Sequence, residues 1–161
     1  MKEQLIEEMK KVFGADQNRI NHALAVLNYA EKILPVEGGD ALVVTAAAIL
    51  HDIGIQEAER KYGSSAGKYQ EIEGPPIATK ILKKYNLDET TIEHICRIIA
   101  NHHSAKNIDT PEFRIIWDAD WLVNIPRDFP DADKAKLQNI INKVFKTPTG
   151  RKMAVELLLE D

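Results

Sequence analysis

The chain has a single cysteine, Cys96, among 161 residues, so no intramolecular disulfide can form and the fold rests on packing alone. That usage fits a reducing cytoplasm, which is the expected location. The opening stretch MKEQLIEEMKKVFG is charged and amphipathic and lacks the apolar run of a secretory signal. No later segment is expected to span a membrane. Positive charge is not in excess: 21 Lys and Arg against 25 Asp and Glu give a formal net charge of -4. A nucleic-acid polymer, which calls for a broad basic surface, is therefore not an expected partner, although a local cationic pocket for a phosphate remains open. Internal repeats, low-complexity tracts and strand-like alternation are all absent from the sequence.

What is present is helical. The length suits one domain with a real core, and apolar and charged fractions of 44% and 29% are ordinary for a globular chain. Leu5, Ile6, Met9, Val12 and Phe13 recur at helical spacing over 2–13, with Gly14 as the stop. The pattern resumes over 18–34 and ends at Pro35 and the Gly38-Gly39 pair. Asp40 then caps ALVVTAAAILHD, apolar nearly all round and therefore expected inside a bundle. The polar stretch 54–74, with Gly63, Ser64, Ser65 and Gly67, reads as a long loop with one helical turn, of the kind that serves as a lid. Pro75-Pro76 are expected to open a helix to about Tyr85. Further helices are expected over 89–103, from Thr110 to about Ile125, and over 131–146 and 149–159. The fold class is all-α, an irregular bundle of six to eight helices.

Several polar residues sit where apolar ones are expected. His51-Asp52 ends the most apolar helix, and Asp118 and Asp120 interrupt RIIWDADWLVNI; such groups are costly to bury unless something satisfies them. Two positions apart, Asp118 and Asp120 point to different sides of their helix, so one can face a site and the other a supporting partner. His22 lies within the second helix, His102-His103 end IEHICRIIANHH, and His94, two turns earlier, reads as structural or exposed. Two imidazoles and two carboxylates form an N2O2 set that suits Mn, Fe, Co, Ni or Mg better than a structural zinc site. Such a centre acidifies a bound water and polarises a phosphoryl oxygen. GSSAGKY, at 63–69, is one residue short of a phosphate-binding loop, has Tyr69 in place of its hydroxyl residue and follows no strand. Trp117 and Trp121, four apart, read as core.

The order His22, His51-Asp52, Asp120 resembles the HD-domain superfamily of phosphohydrolases. RINHALAV, AAAILHDIG, EIEGPPIATKIL, ICRIIANHH and IIWDADWL are similar to that family's successive segments, most strongly over 18–125. The chain is thus expected to be one HD-type domain over 1–161, with 131–161 completing the bundle. The resemblance implies that His22, His51, Asp52 and Asp120 ligate metal, and it favours Asp120 over Asp118 through the family's "ADxL" pattern. In the family, the positions of His102 and His103 line the pocket or hold a second metal in binuclear members, and with Asp52 these two are the expected catalytic residues. Members that bind two metals carry histidine where this chain has Gln70, which favours one divalent ion, and a lysine or an acid characteristic of other branches is replaced by Ile55. By placement, Arg19, Lys61 and Lys68 are candidates to meet the substrate, and Glu57, Glu71 and Glu73 to assist with proton transfer.

The leading expectation is a metal-dependent phosphohydrolase acting on a small phosphorylated compound, a nucleotide or a related phosphoester. A homodimer is compatible with the sequence. The alternatives are a di-iron oxygenase on the same scaffold, which Gln70 disfavours, and a non-catalytic metal- or ligand-binding sensor.

Overall fold

The computed structural model describes residues 1–160. These form nine helices and no strand: α1 Lys2–Phe13, α2 Gln17–Glu37, α3 Ala41–Leu50, α4 Ile55–Tyr62, α5 Gly67–Lys83, α6 Glu89–Asn101, α7 Pro111–Asp128, α8 Lys134–Val144 and α9 Pro148–Leu158. Side-chain oxygens cap most of them, as their sequences suggest. Asp40 accepts from the amides of Leu42 and Val43 at 2.9 and 3.3 Å, and Asp88, Thr110, Asp133 and Thr147 cap α6, α7, α8 and α9 in the same way. The apolar α3 lies at the centre, packed against α1, α2, α6 and α7. Around it α2 runs along α7 and α5 along α6, while α9 packs on α7 and α8 on α9. The window Ala41–Tyr62 has the length and apolarity of a membrane span, as a buried core helix also can. It is 72% buried and is interrupted between α3 and α4, as befits a core helix.

The stretch 54–74 departs from the expected loop. It holds α4 and the first half of α5, joined through 63–66. Its polarity reflects one-sidedness: α4 buries Ile55 and Ala58 and turns its charged residues outward, ending at Gly63 with φ +64°. Pro75-Pro76 lie inside α5 rather than at its start, and Pro35 lies inside α2, which runs on to Glu37. Gly74 eases the restriction that proline places on the preceding residue, because it has no Cβ. The same bareness brings two backbones together. A Cβ on Gly54 would meet the Gly74 amide nitrogen at 2.5 Å. The turn that carries His51 and Asp52 is thereby seated directly on α5.

Candidate metal centre

Four elements deliver the central side chains. His22 comes from α2, His51 and Asp52 from the turn after α3, His102 from the turn after α6, and Asp120 from α7. His22 Nε2 lies 3.0 Å from Asp120 Oδ1, 3.3 Å from Asp52 Oδ2 and 3.3 Å from His51 Nε2. His51 Nε2 is 3.3 Å from Asp52 Oδ2 and 3.5 Å from Asp120 Oδ1. Ligand atoms about 2.1 Å from a common ion are separated by roughly 3.0–3.4 Å, so these four atoms are spaced as a coordination shell requires. His51 is fully buried, and the side chains of His22, Asp52 and Asp120 are only 10–13% exposed.

Backbone carbonyls fix two of the tautomers. His51 Nδ1 lies 2.8 Å from the Ala48 carbonyl and His102 Nδ1 lies 2.6 Å from that of Ile99. A carbonyl only accepts, so both Nδ1 atoms carry hydrogen and both neutral rings present an Nε2 lone pair to the centre. Those lone pairs face carboxylate oxygens, His51 as above and His102 at 3.2 Å from Asp52 Oδ1. Electron pairs gathered in this way need a cation between them. Without one, protons take that role. Desolvation opposes charge on His51, yet Asp52 and Asp120 hold its pKa well above the ordinary imidazole value. Burial alone would raise Asp52 and Asp120, but the neighbouring imidazoles overcome it and hold both below the usual carboxylate range. The donor set therefore fits a divalent ion.

Asp52 also belongs to a second group, with His102 and His103. Here Gln70 intervenes. Its Nε2 donates to the Ser65 carbonyl at 2.7 Å, which turns its Oε1 toward His103 Nε2 at 2.9 Å. His103 Nε2 must then be the donor, and its lone pair sits on Nδ1. Desolvation, reinforced by His102, lowers the His103 pKa to about 4. The ring is packed so closely on Gly67 that a Cβ there would lie 2.8 Å from it.

A cavity of about 420 Å³ opens from the centre, lined by His22, Asp52, His103 and Asp120 together with Arg19. Arg19 is tethered, its Nη1 lying 2.6 Å from Glu59 and 3.1 Å from Asp16. Lys61 and Lys68 do not line the cavity. Lys61 is held by Glu73 at 3.0 Å, and the Lys68 ammonium sits 4.9 Å above the Tyr69 ring. Glu57, Glu71 and Glu73 are likewise engaged elsewhere: Glu57 pairs with Arg60, and Glu71 accepts from the amides of His103 and Ser104. Glu73 accepts from Lys61 and Tyr62. Asp16, Asn18, Ile55, Ser65, Asn124 and Arg127 also line the cavity but were not expected to. Helical spacing offered a signal for three of them, since Asn18 precedes His22 by four residues and Asn124 and Arg127 follow Asp120 by four and seven.

His94 meets Thr110 Oγ1 at 2.8 Å, away from the centre. Asp118 faces the opposite side of α7 from Asp120. It is fully buried and accepts from the Lys146 and Thr147 amides at 2.8 Å each and from the Thr147 hydroxyl at 2.6 Å. Burial raises its pKa to about 6 against the pull of these donors.

The family model for the HD domain matches residues 19–125. The fold is similar to the crystal structure of a predicted HD superfamily hydrolase from an uncultured Thermotogales bacterium. The TM-score is 0.70 at 24% identity, covering 96% of this chain and 83% of the other. No curated protein matches the sequence.

Proposed function

The chain belongs to the HD-domain family, and on that premise we propose that it hydrolyses a phosphoester bond in a small phosphorylated compound, with one divalent ion at His22, His51, Asp52 and Asp120. Mn, Fe, Co or Ni suits this N2O2 set, with Mg as the harder option. The observation that carries the reading is the pair of inward Nε2 lone pairs, fixed by the Ala48 and Ile99 carbonyls and facing carboxylate oxygens. The bound ion supplies acidification of a water and polarisation of a phosphoryl oxygen. The chain's own residues do the rest. Asp52 presents one oxygen to the metal set and the other to His102, whose Nε2 is placed to accept a proton. His103 is neutral near pH 7 and clamped by Gln70, offering Nδ1 as an acceptor at the cavity wall. Arg19 and Arg127 supply positive charge for the phosphate. A cytoplasmic setting accords with the free thiol of Cys96.

The test is phosphate release from a panel of phosphomonoesters and phosphodiesters by metal-stripped protein, before and after restoring each divalent ion. Release that appears only with metal, and that Asp52→Ala abolishes together with the bound ion, is expected. Turnover by the metal-free protein would refute the reading. The Asp52, His102 and His103 group favours a second reading, the di-iron oxygenase. Gln70 holds the His103 ring and stands where a further histidine would serve a second metal, and two irons per chain on elemental analysis would restore that reading.

A further inference from the structure

Resting on the phosphohydrolase reading, the cavity walls narrow the substrate. Beyond the metal donors the lining is hydrophilic: Asp16, Asn18, Ser65, Asn124 and Arg127, with Ile55 as its one aliphatic side chain. Among the described residues no Phe, Tyr or Trp lines it. Sites that hold nucleobases stack them on aromatic or guanidinium faces, and the planar groups here are already engaged: the Arg19 and Arg127 guanidiniums are assigned to the phosphate, His22 faces the metal set and His103 is clamped by Gln70. Here the wall groups ask for donors and acceptors together.

Several of those groups have no partner within the protein. The exposed Asn18 amide and the half-buried Ser65 hydroxyl have no protein partner in the described residues and are open to a ligand. Asn124 Oδ1 is one of only two buried side-chain nitrogen or oxygen atoms left without a partner there, the other being His22 Nδ1. Buried acceptors are nearly always satisfied, so an orphan beside a cavity marks a place for a donor. Asn18 and Asn124 each sit one helical turn from a metal donor, on α2 and α7, at the cavity wall. A hydroxyl both donates and accepts and can answer an amide, a serine or a carboxylate. An apolar or flat aromatic group would leave the same atoms desolvated and unpaired.

We propose that the part of the substrate beyond the phosphate is compact and polyhydroxylated, so that the enzyme acts on a sugar or polyol monophosphate in preference to a nucleotide. The cavity of about 420 Å³ suits a ligand of that size.

The experiment measures kcat/KM of the metal-loaded protein on pentose 5-phosphates, hexose 6-phosphates, nucleoside 5′-monophosphates and p-nitrophenyl phosphate. The sugar phosphates are expected to exceed the nucleotides by roughly tenfold or more, as for sites built to bind hydroxyls. Asn18→Ala and Asn124→Ala are expected to raise KM for the sugar phosphate, with one ion per chain retained in each variant. Preference for nucleotides, or an unchanged KM in both variants, would overturn this inference and leave the phosphohydrolase reading standing. If neither p-nitrophenyl phosphate nor any other ester is cleaved by protein that holds its ion, both fall together.

Discussion

Asp118 and Asp120 sit two positions apart on one buried helix and serve opposite sides of it. Asp120 points to the metal donors, while Asp118 collects three donors from the chain that precedes α9. The two carboxylates should therefore fail differently. Asp118→Ala strands buried amides and is expected to cost about 2–4 kcal/mol of stability while the ion is retained. Asp120→Ala is expected to lose the ion with a smaller change in stability. Urea unfolding and metal analysis on both variants measure the two effects, and the reverse pattern would exchange their roles. Helical geometry made the opposition of the two legible in the sequence. Which one faced the metal was not, except through the family resemblance, because the donors to Asp118 lie 28 and 29 residues downstream. Arg19 was legible as a neighbour of His22. Its tether to Glu59, 40 residues away, was not.

At the scale of elements, the seam between the His51–Asp52 turn and α5 depends on two bare glycines. Gly54→Ala forces a Cβ to within 2.5 Å of the Gly74 backbone. It is expected to cost roughly 1–3 kcal/mol and to loosen α4 and the first turns of α5, read as faster amide exchange over 55–74. Unchanged exchange there would show that the seam yields without cost. Glu73 ties α4 to α5 through Lys61 and Tyr62, and those bonds lower its pKa despite desolvation. A depressed carboxylate contributes stability above its unfolded pKa of 4.5, and that contribution is lost as pH falls through the lower folded value. Intrinsically corrected exchange of α4 should accelerate as the solution is acidified below that range, and Glu73→Gln should remove the dependence. Eight of the nine helices were legible from apolar periodicity and caps. α4 was missed because its eight residues bury only Ile55 and Ala58, and the first half of α5 was missed because glycine and proline signals that usually mark boundaries fall inside that helix.

On the scale of the whole molecule, the proposed ligands come from α2, the α3–α4 turn and α7, so an ion at the centre ties together elements far apart in the chain. Binding to the folded state alone stabilises by about 2.7 kcal/mol at a hundredfold excess over Kd. For a domain of this size that is a rise of roughly 5–10 °C in Tm. Calorimetry of metal-stripped and metal-loaded protein should show that rise, and it should vanish in His51→Ala. The all-helical class was readable from composition and period alone. The cavity was not, because it is assembled from helix faces that meet only in the folded bundle. The measurement that goes most directly to the centre is anomalous diffraction from crystals grown with Mn or Co. One ion per chain, contacted by His22 Nε2, His51 Nε2, Asp52 Oδ2 and Asp120 Oδ1, is the result expected here. An ion held elsewhere, or two ions of equal occupancy sharing Asp52 with His102 and His103, would contradict it.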